Sequence, residues 1–328
     1  MSMEAVMAPT VYVGQPIARA GIDFLSERGY SVETATGLTR EELTDGLAGC
    51  EAVVSKTLFL DENLLRSAAK LRVIAKHGVG VDNVVNVAIA GRLGIQVVNT
   101  PEANAVSVAE HIVALLLSLA RQCIPMDAAV RQGDFEAPER TPLVEMEGKL
   151  LGIVGLGRIG RLVAQKTHFG LGMRIVGFDP YVDHATLPGC IAPVTFDELL
   201  RQSDFVTLSV PSTEETRHLL DREALSAMKR GACLVNCARG EVVDESALVG
   251  ELQSGRIAAA ALDVFDPEPP RRENPLLSLP NVILSPHCAA LTKEALDRMS
   301  LHAAMGVHEV LTGQVPTWPV NRVSRRRP

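Results

Sequence analysis

The sequence predicts an α/β protein of two packed units, and three observations carry that prediction. Short β-branched runs alternate with amphipathic helical stretches over residues 10–98. A second alternation of the same kind runs over 150–285. Between them, residues 105–120 form a helical pattern that is apolar on almost every side. Strand–helix alternation implies parallel sheets with helices on their faces, and a helix apolar all round is a buried one. The length agrees, since 328 residues at about 150 per domain gives two domains.

In the first unit, 10–13, 52–55, 72–76 and 96–98 read as strands, each short, apolar and mostly β-branched. Segments 17–28, 41–47 and 64–69 read as the helices between them. Thr100-Pro101-Glu102 carries a helix-start signature: a hydroxyl at the N-cap, proline at the first helical position, an acid in the first turn. The buried helix is therefore expected from there to Arg121. Residues 122–149, with Pro125, Pro138 and Pro142, read as an irregular surface excursion reaching toward a second subunit. The second alternation opens at Leu150, and the last helix is expected over 292–311. The tail Arg325-Arg326-Arg327-Pro328 reads as a solvated end.

Composition removes several function classes. A hydrophobic share of 47% is ample for two cores and excludes general disorder. With 32 basic against 39 acidic residues the net charge is −7, which argues against nucleic acid or an anionic membrane as partner. Six cysteines without a C-x-x-C pair make no disulfide framework, and Cys233 and Cys237 lack the partners of a zinc site. Reduced thiols in a cytoplasmic protein, with no metal, are expected. Residues 1–10 show no basic region followed by an apolar run, and 112–120 falls far short of the ~20 residues that span a bilayer.

The strongest chemical signal is Gly155-Leu156-Gly157-Arg158-Ile159-Gly160, which joins an apolar strand to a helical stretch over 158–169. In such a loop Gly155 allows the tight turn, Gly157 lets the backbone approach a pyrophosphate, and Gly160 lets helix and strand pack closely. Asp179 ends the next strand, 179 − 160 = 19 residues after the last glycine. An acid there accepts the ribose hydroxyls and repels a 2′-phosphate, so NAD is favoured over NADP. The plain alternative for Asp179, a turn acid before Pro180, is disfavoured once the glycine loop is granted. Gly78-Val79-Gly80 also follows a strand but lacks the third glycine, position 83 being Asn. Its backbone N–H groups suit a small carboxylate, although in isolation the loop is only a turn.

Three further strand ends bring Arg239, Asp263, Glu268 and His287 to the carboxyl edge of the second sheet, where ligands of open α/β sheets bind. Arg holds a carboxylate bidentately, His passes a proton near neutral pH, and Glu stabilises the imidazolium. His77, His111 and His218 lie near these segments and read as structural.

The order of six motifs is distinctive: Lys76-His77-Gly78-Val79-Gly80-Val81-Asp82-Asn83, Asn99-Thr100-Pro101, the 155–160 glycine loop, Asn236-Cys237-Ala238-Arg239-Gly240, Asp263-Val264-Phe265 and Pro286-His287. With them the chain resembles, over 11–311, the D-isomer-specific 2-hydroxyacid dehydrogenases, in particular their phosphoglycerate-dehydrogenase-like branch. The resemblance implies a Rossmann-type NAD-binding domain over 102–290 with a dimerisation arm near 122–149. It further implies a smaller, discontinuous flavodoxin-like substrate domain, 1–101 with 291–328, a cleft between the two, and a homodimer. The implied reaction is reversible hydride transfer between NAD and C2 of a small D-2-hydroxy acid. Arg239 would bind the substrate carboxylate and carbonyl, His287 would be the acid–base, and Glu268 would keep His287 protonated for reduction. Gly78, Val79 and Gly80 would grip the carboxylate. Asp263 would meet the nicotinamide amide, Arg158 and Ile159 the pyrophosphate, and Asp179 the adenine ribose. Val210, Pro211, Cys237, Ala238 and Ala290 would line the cofactor.

The chain departs from the family pattern in three places. Cys288-Ala289-Ala290 contains no glycine where the family commonly has one after the histidine. Val54-Ser55-Lys56-Thr57 lacks the arginine that phosphoglycerate dehydrogenases carry for the phosphate, leaving Lys56 as a point charge in its place. The sequence also stops near the last helix, without room for the regulatory domain some of these enzymes carry. Hydroxypyruvate and glyoxylate therefore compete with 3-phosphohydroxypyruvate as substrate. Formate or phosphite oxidation is a rival on the same fold, and Glu268, in place of glutamine, counts against formate. An NAD(H)-sensing corepressor-like module with the same residues is the rival from another class.

Overall fold

The computed structural model describes residues 8–323, so the arginine-rich tip at 325–328 lies outside the described residues, as does most of the segment read for a leader. The chain divides into two compact units, one formed up to Asn104 and again from Leu291, the other Ala105–Ala290.

The first unit runs β1 (Thr10–Val13), α1 (Arg19–Ser26), β2 (Ser31–Thr34), α2 (Arg40–Ala48), β3 (Ala52–Ser55), α3 (Glu62–Ser67), β4 (Val73–Lys76), α4 (Val87–Arg92) and β5 (Gln96–Val98), completed by the C-terminal helix Lys293–Leu311. Its five strands are all parallel in the order β2-β1-β3-β4-β5, the doubly wound order of flavodoxin-like sheets. Side chains alternate across the sheet as the period of two requires. Tyr12, Val53, Ile74 and Val97 pack on Leu43, Leu47, Leu64 and Leu65 of α2 and α3. Val11, Val54, Val73 and Val98 pack on Leu25 of α1 and on Ala303, Val307 and Val310 of the C-terminal helix. Both faces are covered, which explains strands apolar at consecutive positions.

The second unit begins with α5 (Ala105–Ala120), α6 (Cys123–Arg131) and α7 (Ala137–Arg140). It continues β6 (Leu150–Val154), α8 (Arg158–Leu171), β7 (Arg174–Phe178), β8 (Ile191–Pro193), α9 (Phe196–Gln202), β9 (Phe205–Leu208), α10 (Arg222–Ala227), β10 (Ala232–Asn236), α11 (Glu245–Gln253), β11 (Ile257–Leu262) and β12 (Val282–Leu284). Its seven parallel strands lie in the order β12-β11-β10-β9-β6-β7-β8, a Rossmann-type order with one added strand. The order reverses between β6 and β9, so the glycine loop after β6 opens at the switch point. One face packs on Leu199, Leu225 and Leu248 of α9, α10 and α11. The other packs on Ile112, Leu116 and Leu119 of α5 and on Val163 of α8.

Several expectations are corrected. The buried helix starts at Ala105, not after Thr100. Thr100 Oγ1 instead accepts the Gly78 N–H at 3.1 Å, and Thr100 N–H donates to Gly78 O at 2.9 Å, so the hydroxyl serves a tertiary contact. The excursion over 122–149 carries the two helices α6 and α7 despite its prolines. Strand β2 and helix α4 went unread, β2 because it is a largely exposed polar edge strand and α4 because its six residues include Gly91.

Candidate active site

Three strand ends of the larger unit supply the candidate chemistry. Beyond β10, Asn236 is buried and shapes the loop: its Oδ1 accepts Ala238 N–H and its Nδ2 donates to Arg239 O, both at 2.9 Å. Arg239 follows, half-buried, with Nη1 donating to Ala238 O at 2.7 Å. A fork-shaped donor fixed at one corner is pre-oriented for a carboxylate.

Beyond β12 comes His287, exposed at its ring, with Nδ1 2.8 Å from Glu268 Oε2. Glu268 Oε1 accepts the Phe265 N–H at 3.1 Å, which fixes the carboxylate in turn. Burial pushes the Glu268 carboxyl up, but the hydrogen bond and charge of His287, the Phe265 N–H and the Arg239 charge together outweigh it. The carboxyl ends below its ordinary value, so a carboxylate faces the imidazole. The structure thus brings Glu268 against His287, with the Arg239 charge acting on Glu268.

His287 itself holds φ +50, in the left-handed region that favours glycine. Its N–H donates to Asp263 O at 2.8 Å. Asp263, fully buried, accepts Ser285 Oγ (2.5 Å) and Cys288 N–H (3.0 Å) on Oδ1, and Ala289 N–H (2.9 Å) on Oδ2. The loop therefore needs no glycine at 288–290: the unusual dihedral falls on the histidine, and a buried carboxylate gathers the N–H groups that follow. Asp263, which the resemblance directs at the nicotinamide amide, spends its carboxylate on this loop. Ser285 and Cys288 went unread as site residues, and His111, read as structural, joins the same cluster with Nε2 3.2 Å from Ser285 Oγ. A serine or cysteine near a strand end carries no sequence signal of its own.

The glycine loop fits a dinucleotide. A Cβ on Gly160 would collide with the Gly155 carbonyl, and one on Gly155 (φ +93) would lie 2.7 Å from Ser209 O and 2.8 Å from Val210 Cγ1. At Gly157, by contrast, nothing lies within 4 Å of the Cβ position, and α8 has no side-chain cap. An open mouth above a helix N-terminus suits a pyrophosphate. Arg158 is exposed and Ile159 half-buried on that first turn. Asp179 Oδ2 accepts Leu156 N–H at 2.9 Å, which brings the carboxylate to the same mouth. Val210, Pro211, Cys237, Ala238 and Ala290 all lie beyond the carboxyl ends of the strands, on loops after β9, β10 and β12.

In the smaller unit, Lys56 and the 78–80 loop follow β3 and β4. Gly78 is buried and its N–H is spent on Thr100 Oγ1 and Lys76 O, both at 3.1 Å. Val79 and Gly80 N–H groups have no partner among the described residues. Lys76 Nζ donates to Lys56 O and, at 3.0 Å, to Asn83 Oδ1. Burial lowers the Lys56 ammonium from its ordinary value. Burial, and then the Lys56 and Lys76 charges, push His77 down to about 4, leaving it a neutral buried imidazole. Gln15 is a further missed residue: its Oε1 accepts the N–H groups of Lys56, Thr57 and Leu58 at 2.7–3.1 Å and so shapes the loop after β3.

Residues 113–289 match the family described as D-isomer specific 2-hydroxyacid dehydrogenase, NAD binding domain. The chain belongs to that family. Its cofactor is NAD. A D-3-phosphoglycerate dehydrogenase from Methanocaldococcus jannaschii is 41% identical over 314 residues, covering 95% of this chain and 59% of the relative. The chain spans about three-fifths of the length of the first curated relatives it matches. Among solved structures, the TT0316 protein from Thermus thermophilus superposes with a TM-score of 0.87 at 36% identity, covering 95% of this chain and all of that one. A glyoxylate reductase from Paecilomyes thermophila superposes with a TM-score of 0.86 at 29% identity, covering 95% and 98%.

Proposed function

We propose that this protein catalyses reversible reduction of a small 2-oxo acid to its D-2-hydroxy acid, and that the His287–Glu268 pair beside Arg239 carries the reading. Bound NADH supplies the hydride. Arg239 holds the substrate carboxylate and polarises the carbonyl, which is positioning plus electrostatic stabilisation. His287, tied through Nδ1 to the Glu268 carboxylate, presents Nε2 to the carbonyl oxygen and delivers the proton there. In the oxidising direction the neutral imidazole takes that proton back. Within the smaller unit, the Val79 and Gly80 N–H groups, unpaired among the described residues, are suited to a small anion.

Both substrate types raised by the sequence stay in play: relatives named for phosphoglycerate and for glyoxylate both resemble the chain. We further propose a homodimer built on the arm at 122–149. Phe135, Ile124, Val130 and Leu143 of that arm are exposed, Phe135 at 79%, an apolar set that a partner surface would cover.

The test follows NADH absorbance with 3-phosphohydroxypyruvate, hydroxypyruvate and glyoxylate in turn. Saturable turnover is expected, with His287→Ala lowering kcat by about 10²–10⁴ and Arg239→Ala raising KM as well. Near-full turnover in His287→Ala would refute the assignment. Flat inactivity on the whole panel, with NADH-dependent capture of a protein partner, would instead support the sensing module.

A further inference from the structure

We propose that His111, Asp263 and Cys288 form a binding site for a borderline-soft divalent cation of the Zn²⁺ type, next to the loop that holds His287. Their ligand atoms lie within 4.8 Å of one another. His111 Nε2 is 3.7 Å from Asp263 Oδ1, already the ligand-to-ligand spacing of a tetrahedron with metal–ligand bonds of about 2.0–2.3 Å. The Cys288 sulfur lies within 4.8 Å of both other ligand atoms, and a rotation about the Cys288 Cα–Cβ bond can bring it closer. Imidazole nitrogen, thiolate sulfur and carboxylate oxygen make a mixed donor set that suits Zn²⁺ and disfavours Ca²⁺ and Mg²⁺, which take oxygen ligands.

The surroundings support the assignment. Ala289 N–H holds Asp263 Oδ2 at 2.9 Å, while Oδ1, which accepts Ser285 Oγ and Cys288 N–H, is the oxygen 3.7 Å from His111 Nε2. Ser285 Oγ stands between them, 3.2 Å from His111 Nε2 and 2.5 Å from Asp263 Oδ1, a neutral oxygen that becomes the fourth ligand once its hydrogen bond to Oδ1 opens. His111 and Cys288 are half-buried, so the site is reachable from solvent. Cys288 stands in the short segment after the histidine, where the resemblance led to a glycine. On binding, a sulfur–metal bond forms and the thiol proton leaves to solvent, with no change of oxidation state. The cation also competes with Cys288 N–H for Asp263 Oδ1, which loosens the backbone that holds His287 at φ +50. The cation therefore slows turnover, a consequence that rests on the reaction proposed above, whereas binding itself does not.

Equilibrium dialysis of the full chain against Zn²⁺, and titration with Co²⁺ as a visible probe, test the site. One cation per chain is expected, with a thiolate-to-cobalt charge-transfer band. Cys288→Ala should abolish the band, and both Cys288→Ala and His111→Gln should weaken binding by about tenfold or more, with far-UV dichroism confirming that each variant is folded. A band and stoichiometry that persist in both variants would overturn the proposal, as would no binding at ~100 µM cation, well above the affinity a three-ligand zinc site should show.

Discussion

At the scale of single residues, the site is a chain of constraints that ends on one imidazole. Phe265 N–H fixes Glu268, Glu268 fixes His287 Nδ1, and Asp263 fixes the backbone on either side of the histidine. Glu268→Gln keeps the shape but removes the carboxylate that holds His287 Nδ1. Reduction should therefore fall roughly tenfold or more in kcat, with NADH binding unchanged, as steady-state kinetics and a cofactor titration would show. His77 gives a stability prediction of opposite character. Its folded value of about 4 lies below the ordinary 6.5, so the unfolded chain binds the extra proton between those limits. Stability should be complete above pH 6.5 and decline as pH falls toward 4, by about 3 kcal/mol. Urea unfolding at stepped pH checks this, and His77→Gln should flatten the decline. The pairing of Glu268 with His287, nineteen residues apart, was legible from residue types at strand ends. The part played by Asp263 was not, because it looks like any acid ending a strand.

At the scale of elements, the glycine loop separates two kinds of glycine that a motif treats alike. Gly160 is packed against backbone, whereas Gly157 faces open space at φ −70, where alanine is at ease. Gly160→Ala should destabilise the β6–α8 turn and lower the melting temperature. Gly157→Ala should leave melting unchanged yet weaken NADH binding by about tenfold or more, since its methyl fills the pyrophosphate space. Equal losses of stability in both variants would contradict this division. The strands were readable because nearly all are buried on both faces and so apolar at consecutive positions. Strand β2 was not, for the same reason reversed: its pattern is mostly exposed. The start of α5 misled because Thr100-Pro101-Glu102 satisfies every local capping rule, yet the hydroxyl is taken by Gly78.

At the scale of the molecule, the chain leaves the smaller unit after Asn104 and returns at Leu291, so its last helix covers a sheet built from the first hundred residues. Among the described residues no single helix is long and apolar enough to cross a membrane, and α5 is apolar because α8 and the second sheet bury it. The arm over 122–149 is the contrasting case, with apolar side chains left on the surface. Phe135→Asp should shift the proposed homodimer toward monomer, with the sedimentation coefficient falling at low protein concentration. An unchanged coefficient would place the subunit contact elsewhere.

By itself the sequence determined the parallel α/β architecture, the dinucleotide loop and the identity of the arginine, glutamate and histidine proposed to carry the chemistry. Those features are local: they follow from hydrophobic period, from glycine stereochemistry and from residue types set just beyond strand ends. Only the tertiary structure decided how the strands are ordered, that Asp263 serves the backbone of the histidine loop, and that the positive φ falls on His287 rather than on a glycine. Only it brought His111 and Cys288 to the same carboxylate. These depend on groups remote in sequence meeting at one sheet edge, and that meeting is set by packing both faces of the sheet at once.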